Sequence, residues 1–328
     1  MQQSAIIKET SHKLGWFLFG LTALFYYYDF ILRMIPSVMM DNIITVYNID
    51  ATDFAILESS FYFMYTPLQL LAGPVVDEYG SRKIFPLAIM CCLIGSVLSA
   101  LEFHFYLLIF ARMLIGFGSA FAFIIVLKTA SEWLPAYYYP FLSGLTTTLG
   151  MVGGITAEIV LPLLIHQGGQ FLYLCSALFA VLLIIVSLLY MKDKEEHKEE
   201  DIDVQTILYD IYTLLSMRQL WIIGIVGCML FAPIQIFITW AKSFYMQTIG
   251  IDETNAAIIT SMLFWGVASG APFNGWLASQ TQNKNIIIRT GSLLALINMI
   301  LIIFVENSGW YNAMLMFTLG LFVSSQCL

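Results

Sequence analysis

The chain has 328 residues, of which 59% are hydrophobic and 11% charged, against roughly 25% charged in an ordinary soluble domain. Its mean hydropathy is +0.82, more apolar surface than a soluble domain can hide as its area grows with size. A soluble enzyme, a nucleic-acid binder and a disordered chain are therefore disfavoured, and much of the net charge of −8 sits in one short stretch, so it says little about partners.

A transmembrane helix needs about 20 mostly apolar residues. Ten such runs follow one another, at 14–40, 54–76, 84–103, 105–130, 141–165, 170–191, 220–241, 256–278, 286–305 and 309–328. They are too long and too evenly apolar for barrel strands, so an all-α membrane protein is expected. Basic residues favour the cytoplasmic side. Lys8, Lys13, Arg82, Lys83, Lys192, Lys194, Lys198, Arg218, Lys284 and Arg289 fall on one side, which places the N-terminus in the cytoplasm of a multi-pass protein. The five cysteines lie in apolar runs without metal spacing and read as small buried hydrophobes.

Run one carries Asp29 and Arg33, four apart and so on one face, with Tyr26 on the same face. Ionisable groups in hydrocarbon are costly and mark function by default. Two readings stand side by side: a structural i,i+4 pair that makes insertion tolerable, and a cavity site in which Arg33 grips a substrate carboxylate. Run two sets Tyr62, Tyr65 and Gln69 at i, i+3 and i+7, a polar-aromatic stripe that a cavity wall would explain. Run four contains Arg112, which either bonds neighbouring carbonyls or serves the site, and run five contains Glu158, the best candidate for a protonatable coupling group beside Asp29. Glu158 has its own structural reading as an interface residue near Pro162, and Glu58 in run two is a weaker candidate. Lys128 is expected to snorkel. In later runs Gln235, Trp240, Lys242 and Trp265 could form an opposing wall, Trp240 equally reading as an interfacial anchor.

The turn after run two reads Gly73-Pro74-Val75-Val76-Asp77-Glu78-Tyr79-Gly80-Ser81-Arg82-Lys83. It resembles the G-x-x-x-D-x-x-G-[RKS]-[RK] loop of the major facilitator superfamily (MFS) of secondary transporters. Locally, Gly73 would let helices approach and Gly80 would permit a positive-φ turn. A degenerate copy places Gly275, Ser279, Gln282 and Lys284 at the matching positions, 202 residues on. Arg112-x-x-x-Gly116-x-Gly118 is similar to a second motif of that family, and Gly144, Gly150, Gly153 and Gly154 would allow tight packing of run five. More weakly, Arg33 to Met39 with Tyr62, Tyr65 and Gln69 resembles the phagosomal amino-acid transporter group of intracellular proteobacteria.

The resemblance implies the MFS fold: an N-terminal six-helix bundle over 1–191, a cytoplasmic linker over 192–218 and a partial four-helix bundle over 219–328. The chain is read as a shortened member lacking spans eleven and twelve. It implies alternating access for a small polar solute, such as an amino acid or another carboxylate-bearing nutrient, across a bacterial inner membrane. Protons are the expected coupling ion. A monomer in the lipid bilayer is expected, with no cofactor, metal or nucleic-acid partner. The loop residues Gly73, Asp77, Gly80, Arg82 and Lys83 would work with Glu132, an Arg82–Glu132 pair locking the inner face. The rival from a different class is a non-transporting remnant, receptor or assembly subunit. An enzyme lacks a catalytic constellation: no HExxH or GxSxG occurs.

Overall fold

A computed structural model describes residues 2–164, 168–194, 213, 216–280, 284–304 and 309–327. Among these the secondary structure is helical, with no strand. In chain order the helices are α1 (Gln2–Val38), α2 (Met40–Tyr47), α3 (Ala51–Tyr79), α4 (Ser81–Ala100), α5 (Phe105–Ser119), α6 (Ala122–Trp133), α7 (Tyr139–Leu164), α8 (Gly169–Tyr190), α9 (Arg218–Ile249), α10 (Glu253–Gln280), α11 (Lys284–Phe304) and α12 (Gly309–Val323). Helix occupies most of the described part of each of the ten predicted runs. Among the described residues, six segments are long and apolar enough to cross a membrane: Lys13–Val38, Ser81–Ala100, Phe105–Trp133, Phe141–Leu164, Gly169–Tyr190 and Ile286–Phe304.

Local chemistry sets several boundaries. Asp50 caps α3, its carboxylate accepting from the Asp53 N–H at 2.8 Å. Gly80 separates α3 from α4 at φ 80°, the conformation expected of it. The fourth predicted run is two helices, because the backbone tightens after Gly116 and Gly118. There the Phe121 N–H bonds the Gly118 carbonyl at 3.3 Å, three residues back instead of four.

The chain divides into two compact units, Met1–Leu149 with Leu164–Ile207, and Gly150–Leu163 with Leu208–Leu328. The division falls within α7. In the first unit, Phe19 and Ala23 of α1 pack on Val126 and Ala130 of α6 and on Leu142 of α7. Gly116 and Gly118 allow backbone contact there: a Cβ on either would overlap the carbonyl of Phe61 or of Ala88. Gly73 is different. A Cβ there meets nothing within 4 Å, so the helix approach expected at Gly73 is not made, and Gly144 is equally open. Gly154, in the second unit, lies close against the Phe264 ring. Cys92 is buried, whereas Cys175 and Cys228 are exposed on their helices, which corrects the reading of all the cysteines as buried.

In the second unit α10 and α12 cross at Gly266 and Gly320. A Cβ on Gly266 would overlap the Phe317 carbonyl, and one on Gly320 the Leu263 carbonyl. Asn274 adds hydrogen bonds to the Leu321 carbonyl at 3.0 Å and to Ser324 Oγ at 2.9 Å. Backbone cannot yield as a side chain does, so Gly320→Ala is expected to cost about 1–3 kcal/mol, the usual penalty of overpacking. Gly144→Ala should be neutral. The difference in thermal unfolding midpoint between these two variants in detergent checks this.

Candidate functional site

In the first unit, Asp29 and Arg33 form the i,i+4 pair that their spacing allows, with Arg33 Nη2 donating to Asp29 Oδ2 at 2.9 Å. Asp29 is fully buried. Three rings surround the guanidinium, with centroids at 4.8 Å (Phe30), 5.1 Å (Phe61) and 4.8 Å (Tyr65). Such contacts hold a cation in place and gain strength when desolvated. Tyr26, Tyr62 and Tyr65 all lie within electrostatic reach of Arg33. The expected face and stripe therefore meet at one point. Tyr26 packs on Phe30 and Phe123 at 5.2 and 5.4 Å, and the Tyr65 hydroxyl accepts from Gln69 Nε2 at 2.7 Å. Arg33 Nε, Asp29 Oδ1 and the Tyr62 hydroxyl are buried without a hydrogen-bond partner. Buried polar atoms are normally satisfied, so one place holds two donors and an acceptor with unused capacity.

Arg112 lies beneath this pair, fully buried. Its Nη1 donates to the Leu32 carbonyl at 3.1 Å, and its Nη2 to the Arg33 carbonyl at 3.3 Å and to Glu58 Oε1 at 3.4 Å. The sequence explains the first contact. Pro36 stands inside α1, four residues after Leu32, and has no N–H to give the Leu32 carbonyl. Arg112 supplies the missing donor. It thereby ties α5 to the backbone that carries Arg33, and Glu58 of α3 balances its charge. Arg112 thus bonds the carbonyls of α1, and pairs with Glu58 as well.

The loop motif is wired differently from expectation. Lys128 of α6 does not snorkel away; it pairs with Asp77 and, at 3.4 Å, with Glu132. The predicted Arg82–Glu132 pair is not formed. The Arg82 backbone N–H instead donates to Asp193 Oδ1 at 2.9 Å, and Lys194 Nζ donates to the Glu132 carbonyl at 2.6 Å. The reason is reach. Lys128 shares a helix with Glu132, one turn away, and lies within bonding distance of Asp77, so it bridges both acids. Lys83 is exposed beside Arg82. Of the second loop copy, Gln282 lies outside the described residues, and only the backbone is described at Gly275, Ser279 and Lys284.

Glu158 belongs to the second unit, 2% exposed, with Oε2 lacking a partner. Gln235 and Trp240 of α9 are half-buried in the same unit. Trp265 of α10 is 46% exposed there.

The sequence model described as Major Facilitator Superfamily matches residues 18–327. The chain is 21% identical over 316 residues to the probable sulfoacetate transporter SauU of Cupriavidus necator, covering 92% of this chain and 72% of that protein. It is 22% identical over 250 residues to the hexuronate transporter of Bacillus subtilis, covering 73% and 59%. Its fold is similar to that of a bacterial homolog of the human lysosomal transporter Spinster in an inward-facing, unoccupied conformation. That match has a TM-score of 0.72 at 14% identity and covers 95% of this chain and 74% of that one.

Proposed function

Because the chain belongs to the major facilitator superfamily, a family of transporters and not of enzymes, we propose that this secondary transporter carries a small carboxylate- or sulfonate-bearing solute together with a proton. The membrane is a bacterial inner membrane, with the N-terminus on the cytoplasmic side, as the loop distribution of Lys and Arg argues. The observation that carries the reading is the caged Arg33, with its Nε and the neighbouring Tyr62 hydroxyl unsatisfied. An oxyanion offers these donors what they lack, in the forked geometry that a guanidinium favours. SauU and the hexuronate transporter are named for acid anions, which agrees with this choice.

Charge counting supplies the proton. The buried cluster contains two cations, Arg33 and Arg112, and two carboxylates, Asp29 and Glu58. It is neutral when all four are ionised. A monoanion entering it leaves one uncompensated negative charge, and an unpaired buried ion costs several kcal/mol. Asp29 and the solute compete for the same guanidinium, so Asp29 is the group that takes up the proton when the solute displaces it. The proton neutralises the carboxylate that has lost its partner, and its release returns Arg33 to Asp29 and expels the anion. Glu158 is the second proton-carrying candidate.

The test separates binding from coupling. In proteoliposomes, Asp29→Asn should abolish accumulation driven by a pH gradient while solute exchange at equal pH survives. Normal accumulation in that variant, or loss of exchange along with accumulation, would speak against a coupling role for Asp29.

A further inference from the structure

A groove of about 410 Å³ runs between α3 and α4 in the first unit, apolar along its length and basic at one end. The glycines of α5 explain why it exists. Gly116 lets the α3 backbone approach at Phe61, and Gly118 lets the α4 backbone approach at Ala88. Phe117, which stands between those two contacts, and Phe121, one turn on, line the groove with their rings 5.9 Å apart. From α3 come Leu68, Leu71, Val75 and Tyr79, at i, i+3, i+7 and i+11, which is one helix face. The α4 side is open at Leu87, 53% exposed, and ends at Lys83. Among the described lining residues Lys83 is the one charged group, and with Tyr79 it flanks the Gly80 turn.

Length and charge select the occupant. From Leu68 to Tyr79 the helix rises about 16 Å, roughly half of a hydrocarbon core about 30 Å thick. The groove therefore spans one leaflet, the reach of one acyl chain, where a partner's transmembrane helix would need the full thickness. Its basic end lies at the level where amphipathic rings settle: Tyr79 is 40% exposed there, and Trp16 of α1 and Tyr138 before α7, with rings 5.7 Å apart, stand at the same end of the unit. The exposed acid nearby, Asp77, is paired with Lys128, and Glu78 does not line the groove. An ammonium has three N–H donors, so Lys83 can bind phosphate oxygens and keep another contact. We propose that this groove binds an anionic glycerophospholipid, with one acyl chain along the Leu68–Tyr79 face over Phe117 and the headgroup phosphate on Lys83. In the orientation proposed above the lipid belongs to the cytoplasmic leaflet, but the binding itself does not depend on that orientation.

The experiment is photolabelling of the full chain in phosphatidylcholine nanodiscs, with a trace of phosphatidylglycerol that carries a diazirine on one acyl chain, and mapping of the labelled peptides by mass spectrometry. Label should concentrate on the groove-lining stretches 68–88 and 117–121. A phosphatidylcholine probe with the same chains should label them about fivefold less, the factor that one lysine contributes at an anionic headgroup. Lys83→Gln should bring the phosphatidylglycerol probe down to that level, and Lys83→Arg should keep the wild-type value. Val75→Trp fills the groove and leaves Lys83 in place, and it should remove the label of both probes there. Lys83 is exposed, so its variants carry the test even if Val75→Trp fails to fold. Label spread evenly over the lipid-facing helices, equal labelling by the two probes, full labelling in Lys83→Gln or label that survives Val75→Trp would overturn the site. The measurement involves no solute and both leaflets carry the same lipid, so a failure of the transport reading leaves its result intact.

Discussion

Arg33→Lys is expected to lower affinity for the anion proposed as the solute about 10- to 100-fold while folded yield is kept, which corresponds to about 1.5–3 kcal/mol for a hydrogen bond to a charged group. Lysine keeps the positive charge, so Asp29 retains a counter-ion and the buried cluster stays neutral. What it loses is the planar fork and the flat surface that lies against Phe30, Phe61 and Tyr65. Arg33→Ala should behave differently, because it takes away the ion-pair partner of the fully buried Asp29. That variant should fall in yield and thermal midpoint as well as in binding. Titrating both variants and the wild type with hexuronate and sulfoacetate by calorimetry checks the difference. Equal affinity in Arg33→Lys and wild type would remove Arg33 from the binding site.

Arg112→Met should have the larger effect on the fold. It leaves Glu58 buried without a cation and the Leu32 carbonyl without a donor. Breaking a buried pair from one side costs about 3–5 kcal/mol. Two second-site changes should each recover part of the loss, for separate reasons. Glu58→Gln removes the stranded charge. Pro36→Ala restores an N–H four residues after Leu32, so the carbonyl regains its helix partner. Thermal unfolding of the single and double variants forms two double-mutant cycles. If neither second change softens Arg112→Met, Arg112 is not acting through these two groups.

What the sequence discloses and what it hides follow one rule here. Asp29 with Arg33, and Tyr62 with Tyr65 and Gln69, were legible because helical periodicity alone puts them on one face. The helices were legible because lipid demands long apolar runs. The Gly80 turn was legible because only its φ had to be known. Contacts between distant segments were not. Glu58 and Arg112 are 54 residues apart, and Asp77 and Lys128 are 51 apart. No periodicity links such pairs, so neither the Glu58–Arg112 contact nor the Asp77–Lys128 contact can be read from spacing. Gly73 misled for a related reason: a small residue permits close approach but does not require a neighbour. Pro36 was the signal available for Arg112, since a proline inside a helix announces a free carbonyl one turn back, and a buried donor must come from somewhere.

The central claim is that an anion and a proton enter the same neutral cluster together. Its most direct measurement is proton uptake on binding, read with a pH-sensitive dye in weakly buffered solution as the purified protein is titrated with hexuronate, a monoanion. One proton taken up per anion bound is the expected result in wild type, falling toward zero in Asp29→Asn. Saturable binding of hexuronate to the wild-type protein with no proton uptake would contradict it.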